Sequence, residues 1–230
     1  MAASPFEEPS RDCPRCPRLV AFRHELRAQH PDWGNAPVRS FGNVDARVLI
    51  VGLAPGMRGA NRTGRPFTGD YAGELLYSTL VEFGLAQGVY RADPNDGLRL
   101  VDCRIANAVR CLPPENKPLP EEFANCRPFL QTELAVMPNL KAIVALGKGA
   151  HDQILRALTV RPAGAYPFVH GKLHALPIGL TLADSYHCSR YNTNTGRLTT
   201  EMFHAVFESV RKTLASSERG PPGPHHDRRI

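Results

Sequence analysis

Short apolar runs alternate with amphipathic segments along most of the chain, and this alternation restricts the fold more than any other feature of the sequence. The run Arg47–Leu53, RVLIVGL, is rich in β-branched residues and predicts a buried strand. After a loop rich in Gly and Pro, Tyr71–Phe83 places apolar side chains at helical spacing. A strand followed by a helix and another strand predicts parallel strands with helices packed on the sheet.

The remaining segments continue the same order. Strands are predicted over Leu100–Val109, Lys141–Leu146 and Leu176–Asp184, and helices over Glu121–Met137, Lys148–Leu158 and Thr199–Leu214. We therefore expect an α/β fold of three layers, α/β/α, around a central, mainly parallel sheet of four strands. Binding sites in such sheets form in the loops at the carboxyl ends of the strands.

The chain of 230 residues suits one domain, which we place at residues 11–215. Residues 1–10 are polar, and residues 216–230 contain a Gly-Pro run followed by His and Arg, so both segments are expected to be disordered tails. The N-terminus does not have the character of a secretory signal, and no apolar run reaches the length of about 20 residues that a membrane span needs. We expect a cytoplasmic monomer that does not contact a membrane.

The formal net charge of +6 favours a polyanionic partner such as DNA. Many basic proteins bind no polyanion, so charge alone does not assign this partner. The basic C-terminal segment is either a solvated tail or a loose electrostatic contact to DNA.

Four cysteines form a pattern that is typical of a metal site. Cys13 and Cys16 have the spacing C-x2-C, while Cys111 and Cys126 are widely spaced. Four thiolates bind either zinc or a four-iron four-sulfur (4Fe-4S) cluster. Zinc sites usually contain two short-spaced pairs, so this spacing favours the cluster. An equally acceptable interpretation is that Cys111 and Cys126 are small buried apolar residues.

The loop after the first predicted strand combines glycines with an aromatic and polar residues. It runs through GLAPG at residues 52–56 and GANRTGRPFTGD at residues 59–70. The glycines allow the backbone to approach a ligand closely, and the ring of Phe67 can stack on a nucleobase. The Gly-Lys-Ser/Thr ending of a phosphate-binding P-loop is missing.

Two further polar loops follow predicted strands. One begins at Asn107, and the other is HCSRYNTNTG at residues 187–196. Because strand ends of one parallel sheet meet at one edge, an amide, an imidazole and an aromatic ring should converge there. His187 alone would be interpreted as a surface or capping histidine; in this setting a catalytic role is favoured.

Together, these strings resemble the uracil-DNA glycosylase superfamily. GLAPG, GANRTGRPFTGDYAG and HCSRYNTNTGRL are most similar to the branch called family 5, or type B, which carries an iron–sulfur cluster. The resemblance covers about Cys13–Leu214. It implies a DNA repair enzyme that flips uracil out of DNA and hydrolyses its N-glycosidic bond. It also implies that Cys13, Cys16, Cys111 and Cys126 hold a structural 4Fe-4S cluster, with zinc as the alternative.

The resemblance also suggests roles around the flipped base. Phe67 would stack on the base, Asn107 would read its edge, and backbone groups near Gly52 and Gly64 would complete the recognition. His187 would donate a hydrogen bond to the departing base. In GLAPG, Leu53 and Ala54 stand where relatives often carry a polar or acidic residue. Neither apolar side chain can activate water, which leaves Asp70 to position water or stabilise the cationic sugar. Asp70 would equally serve as the cap of the helix that follows it.

Side chains around the three loops are expected to contact DNA. Arg190 and Tyr191 would wedge into the duplex, and the full expected set is Asn61, Arg62, Arg65, Asn116, Lys117, Ser189, Arg190, Tyr191 and Asn192. A solvated charge is nearly as good an interpretation for Lys117 and Arg65.

The sequence suggests a monofunctional enzyme that leaves an abasic site, since no lysine stands out as a Schiff-base nucleophile. Type B relatives often accept deaminated purines, so hypoxanthine and xanthine are further candidate substrates. Two alternatives are a four-cysteine protein that binds nucleic acid without catalysis and a hydrolase of free nucleosides.

Overall fold

A computed structural model of the chain describes residues 6–218, and its centre is a five-stranded sheet. In chain order, the strands are β1 (Val48–Gly52), β2 (Ala86–Gln87), β3 (Arg99–Leu100), β4 (Cys103–Asn107), β5 (Ala142–Leu146), β6 (Leu173–Ala175) and β7 (Thr181–Ser185). β2 and β3 form a separate antiparallel pair, and the other five strands form the central sheet. The sheet has the order β4-β1-β5-β7-β6. The pairings β4-β1, β1-β5 and β5-β7 are parallel, and β6 is antiparallel to β7 at the edge.

Helices cover both faces of this sheet. They are α1 (Pro17–Gln29), α2 (Tyr71–Glu82), α3 (Pro120–Val136), α4 (Lys148–Ala157), α5 (Arg190–Asn194) and α6 (Thr200–Glu218). Side chains alternate along a strand, so β1 turns Val48 and Ile50 toward the core formed with α2 and α6. Leu49 and Val51 face the opposite core, which α3 and α4 complete. The predicted three-layer α/β/α fold is confirmed, with five strands rather than four.

The additional strand is β6, which lies before the segment predicted as the fourth strand and was not itself predicted. The segment predicted as one strand, Leu176–Asp184, is divided by a turn at Pro177–Gly179, and only its second half enters the sheet. β6 lies before this turn and pairs back on β7. Similarly, the segment predicted as one strand, Leu100–Val109, is interrupted between β3 and β4. Asp102 lies at this break and has a positive φ of 51°, which a continuous strand does not accommodate.

Helix α1 was not predicted, because its buried face does not have an apolar helical pattern. Its buried residues are Leu19, Arg23 and Leu26, so a charged side chain lies in the middle of the buried helix face. Leu19 packs with Val109 and Cys126. The helix therefore covers the region of the four cysteines rather than the main core.

Residues 6–10, which the sequence predicts as part of the first tail, contact the domain. Glu8 accepts a hydrogen bond from the backbone N–H of Ser40 at 3.0 Å and pairs with the buried Arg110 at 3.3 Å. The ring of Phe6 lies under the Arg104 guanidinium. Residues 6–10 thus follow the domain surface because Glu8 offsets buried positive charge; residues 1–5 are outside the described range.

The C-terminal helix α6 ends at Glu218, so it includes the first residues of the segment predicted as a tail. The basic run beyond it lies outside the described residues. Within residues 6–218, none of the helices combines the length and apolar character that crossing a membrane requires.

Candidate active site

The carboxyl ends of β1, β4 and β7 meet at one edge of the sheet. Gly52 at the end of β1 is the register partner of Asn107 at the end of β4, and β7 ends two residues before His187. A cavity of about 590 Å³ opens at this edge. Its lining brings together the side chains predicted for catalysis and base binding, Phe67, Asp70, Asn107 and His187.

The inner end of the cavity depends on a glycine at position 52. A Cβ there would lie 2.5 Å from Asn107 Oδ1 and 2.6 Å from Phe67 Cζ. The missing side chain lets the amide and the ring approach the end of β1 together. Asn107 Oδ1 is buried and has no hydrogen-bond partner among the described residues. An unpaired buried acceptor at a cavity is suited to a ligand that brings a donor.

Phe67 is held in position through its backbone. Its φ is 51°, an uncommon value for a residue other than glycine. The hydroxyl of Tyr90 donates to Phe67 O at 3.2 Å and accepts from the N–H of Gly69 at 3.1 Å. The Phe67 ring lies 5.8 Å from that of His187, with their planes 30° apart. Phe67 and His187 therefore border the same space.

Asp70 occupies the N-cap position of α2, but its side chain makes no capping hydrogen bond. Its Oδ1 is buried without a partner in the described part of the chain. A Cβ on Gly56 would come within 2.8 Å of its Oδ2, so the carboxylate is packed against a backbone turn. Burial raises the pKa of Asp70, and the N–H groups of Gly73 and Ala72 oppose this rise although they do not meet the geometry of a capping hydrogen bond. The carboxylate is thus poorly stabilised by the protein itself.

His187 is neutral at physiological pH, because burial lowers its pKa to about 4. Neither ring nitrogen has a hydrogen-bond partner among residues 6–218, which leaves both open to a ligand. The loop is fixed instead through its backbone, where Asn192 Nδ2 donates to His187 O at 2.8 Å. A neutral imidazole can still donate one hydrogen bond.

Two residues expected to contact DNA are instead part of the interior. Asn61 is 3% exposed and donates from Nδ2 to Asn35 Oδ1 at 2.9 Å. Arg65 is 6% exposed and forms a bidentate pair with Asp96 at 2.7 and 2.8 Å. Its guanidinium also lies 5.3 Å from the centre of the Tyr77 ring. Both assignments to DNA are corrected: these side chains hold the loop that carries Phe67.

The other predicted DNA contacts divide into two groups. Asn116, Ser189 and Arg190 line the cavity. Outside its lining, Tyr191 is 73% exposed and Lys117 pairs with Glu115 at 3.0 Å.

Three further predicted site residues do not line the cavity. The Arg62 Nε donates to Arg58 O at 3.0 Å, and Asn192 supports the His187 loop. Gly64 faces open space, with nothing within 4 Å of a Cβ built on it. Its positive φ of 78° explains the glycine as a turn residue rather than as a base contact.

Two lining residues with charged or aromatic side chains, Arg58 and Tyr71, were not predicted from the sequence. Arg58 lies in the irregular helical turn Met57–Asn61, is exposed, and borders the opening. Tyr71 follows Asp70 at the start of α2 and has the Arg190 guanidinium 5.3 Å from its ring centre. The signal for Arg58 was available, because it is a cation between the two glycine-rich strings of the first loop.

The four cysteines predicted as metal ligands border one small recess beside α1. Cys13, Cys16, Cys111 and Cys126 all line this recess, whose volume is about 20 Å³. The backbone N–H of Arg110 donates to Cys126 Sγ at 3.3 Å. None of the six cysteines forms a disulfide.

A cation is buried at this recess. Arg23 is 4% exposed; its Nη1 donates to Cys111 Sγ at 3.8 Å and its Nη2 to Cys13 O at 3.1 Å. Its Nε is buried without a partner in the described chain. A buried guanidinium without a carboxylate requires negative charge nearby, and the cysteine sulfurs are the groups placed to carry it.

A second cluster of potential ligands is better explained by hydrogen bonds. Within residues 6–218, ligand atoms of His151, His174 and Asp184 lie within 4.8 Å of one another. His151 Nδ1 is 2.6 Å from Asp184 Oδ1 and its Nε2 is 2.9 Å from Tyr166 O, while His174 Nε2 is 3.0 Å from Asp184 Oδ2. These contacts tie β7 to α4 and to the segment before β6, which steadies the strand that leads to His187.

Comparison with known proteins agrees with this geometry. The family model described as the uracil DNA glycosylase superfamily matches residues 39–211. A type-5 uracil-DNA glycosylase of Thermus thermophilus is 46% identical over 206 residues, which are 87% of this chain and 93% of the relative. Type-5 enzymes of Mycobacterium bovis and Pyrobaculum aerophilum are 42% and 41% identical; the matches cover 87% and 90% of this chain and 77% and 89% of the relatives.

The match spans both the sheet and the three loops at its carboxyl edge. It includes the strands that carry Gly52 and Asn107 and the loop of His187. The chain therefore belongs to the uracil-DNA glycosylase superfamily.

Proposed function

We propose that this protein is a DNA glycosylase that flips uracil out of DNA and hydrolyses the bond between the base and deoxyribose. The convergence of Phe67, Asp70, Asn107 and His187 on one cavity carries this proposal. The relatives from Thermus thermophilus and Mycobacterium bovis are both named type-5 uracil-DNA glycosylases, which is the activity proposed here. A protein that only binds nucleic acid would have no need for an unpaired carboxylate, amide and imidazole around one recess.

Recognition of the base begins with its extrusion from the duplex. In the cavity, the ring of Phe67 offers a stacking surface worth about 1–3 kcal/mol. The unpaired Oδ1 of Asn107 accepts a hydrogen bond from the N–H edge of uracil, and its Nδ2 donates to a carbonyl. Cytosine lacks that N–H at the same position, so the amide favours uracil.

Bond cleavage moves electrons from the glycosidic bond onto the base. As C1′–N1 breaks, negative charge develops on uracil, and neutral His187 donates a hydrogen bond to it. Positive charge develops on the sugar, where the buried carboxylate of Asp70 stabilises it and orients a water molecule. The water oxygen bonds to C1′, and its proton balances the charge of the departing base. An abasic site with an intact strand remains.

The strand is held by cationic and polar groups at the rim of the cavity. Arg58 and Arg190 reach it from separate loops, with Asn116 and Ser189 beside them. These groups are suited to phosphates on both sides of the extruded nucleotide. Tyr191 is exposed enough to enter the space that the base leaves.

Several finer predictions remain part of the proposal. Hypoxanthine and xanthine are further candidate bases, since a cavity of about 590 Å³ exceeds the needs of a single pyrimidine ring. Monofunctional chemistry, a monomeric state and a cytoplasmic location stay predictions from the sequence.

We also propose that Cys13, Cys16, Cys111 and Cys126 hold a structural 4Fe-4S cluster. Their recess contains the unpaired Arg23 cation and the Arg110 N–H donor to sulfur, which fit a group with four thiolates. When bound, such a cluster would cross-link the N-terminal segment, the loop after β4 and α3. No step of base removal requires it.

The spacing of the cysteines along the chain favours the cluster over zinc. Zinc sites usually contain two short-spaced pairs, whereas only Cys13 and Cys16 are closely spaced here.

An oligonucleotide assay tests the activity. A duplex with one uracil is incubated with the protein, and free base and alkali-labile sites are measured together. The proposal predicts equal amounts of both, with strands unbroken before alkali. Unbroken strands after alkali would favour the binding alternative, and release from deoxyuridine alone would favour a nucleoside hydrolase.

Metal analysis tests the cluster separately. Iron and acid-labile sulfide at about four each per chain, with broad absorbance near roughly 400 nm, are expected. Replacing Arg23 by Met should lower the retained iron, whereas Arg23→Lys should preserve most of it. A colourless protein with stoichiometric zinc would refute the cluster and leave the glycosylase proposal intact.

A further inference from the structure

A second large recess lies between α3 and the end of α4. It has a volume of about 850 Å³ and shares no lining residue with the base cavity. Three arginines border it, Arg127 from α3, Arg156 from the last turn of α4, and Arg161 from the segment that follows. Nothing in the proposed reaction uses these residues.

The charge of this recess is unbalanced. Its lining contains no carboxylate, and none of the three arginines forms an ion pair with a described residue. The Arg127 Nε is buried and lacks a hydrogen-bond partner in the described part of the chain. Like charges around one space repel each other, and a buried unpaired donor costs free energy. Both costs fall when an anion enters.

The other walls favour a ligand with phosphate groups. Leu155, Val160 and Pro162 are apolar and reduce the local dielectric constant, which strengthens attraction to the arginines. Guanidinium groups match phosphate oxygens in bidentate geometry, and the recess presents three of them. We propose that this recess is a second anion site, which binds phosphate groups.

The position of the recess separates it from the nucleotide that is cleaved. Helix α4 begins directly after Gly147, whose neighbourhood contains His187. Arg156 follows nine residues later, about 13 Å along the helix axis at about 1.5 Å per residue. The phosphates would come either from another part of a DNA backbone or from a free polyphosphate compound.

Two charge-matched variants test the proposal by calorimetry with inorganic tripolyphosphate. The recess variant carries Arg127→Ala, Arg156→Ala and Arg161→Ala. The control variant loses the same charge at three exposed arginines elsewhere, through Arg39→Ala, Arg91→Ala and Arg99→Ala.

The recess variant should bind tripolyphosphate at least tenfold more weakly than the wild type, and the control should stay within about twofold. Equal affinity for the wild type and the recess variant would overturn the proposal, as would equal losses in both variants. If the recess variant does not fold, the exposed pair Arg156→Ala/Arg161→Ala gives the same comparison without changing α3.

The source of the phosphate is read from the salt dependence of binding to an undamaged duplex. Each phosphate contact contributes about −0.9 to the slope of log affinity against log salt. If DNA occupies the recess, the slope becomes shallower by up to about 2.7 in the recess variant. An unchanged slope, together with lost tripolyphosphate binding, assigns the site to free phosphate compounds. This test does not depend on base release, so it stays separate from the glycosylase proposal.

Discussion

Replacing Asp70 by Asn isolates the charge of the buried carboxylate. Asn is as good an N-cap residue as Asp, so helix α2 should keep its start and the protein its stability. At about 4 Å from the developing sugar cation, a carboxylate contributes about 4 kcal/mol at an effective dielectric constant of about 20. In bulk water the same pair would contribute about 1 kcal/mol. Because Asp70 is buried at the cavity, the first value applies.

Loss of about 4 kcal/mol predicts a fall of about 10³-fold in the rate of base release for Asp70→Asn. The assay is single-turnover cleavage of a uracil duplex under saturating enzyme, with thermal melting as the control for folding. Burial raises the pKa of Asp70, so the wild-type rate should fall as pH drops through that raised value, while the Asn variant lacks this limb. A variant within about fivefold of the wild type would refute the electrostatic role, since that is the solvent-exposed value.

Other substitutions separate the remaining roles. His187→Ala should slow base release by about 10²–10³-fold, and because the His187 pKa is about 4, the wild-type rate should show no inflection near neutral pH. Gly52→Ala should reduce the rate by about 10²-fold by displacing the neighbouring amide and ring; near-normal activity would contradict that packing. Arg65→Ala should lower the free energy of unfolding by about 3–5 kcal/mol in urea denaturation. Arg58→Ala should leave that free energy within about 0.5 kcal/mol of the wild type. It should make the slope of log DNA affinity against log salt shallower by about 0.9.

The sheet and its helices were largely predictable because their sequences are locally consistent. The strand at Val48–Gly52 and the helix at Tyr71–Glu82 fall within a residue or two of their predicted bounds. Helix α1 was not predictable from apolar periodicity, since Arg23 occupies its buried face. That arginine is explained only by the cysteine recess, which forms from distant parts of the chain.

The site was predictable to the level of the loops but not of every side chain. Phe67, Asn107 and His187 were predicted to converge because their loops follow strands of one parallel sheet, and all three line one cavity. The same reasoning failed for Arg65, because a cation in a polar loop has the same sequence signal whether it faces DNA or a buried partner. The difference lies in Asp96, which is 31 residues away and completes the ion pair.

A structure of the protein bound to a duplex with a non-cleavable 2′-fluoro-deoxyuridine tests the central claim most directly. We predict that the uracil ring is out of the helix and stacked on Phe67, with Asn107 on its edge and a His187 nitrogen directed at a carbonyl oxygen. A uracil that remains stacked in the duplex, or that occupies a different recess, would contradict the account.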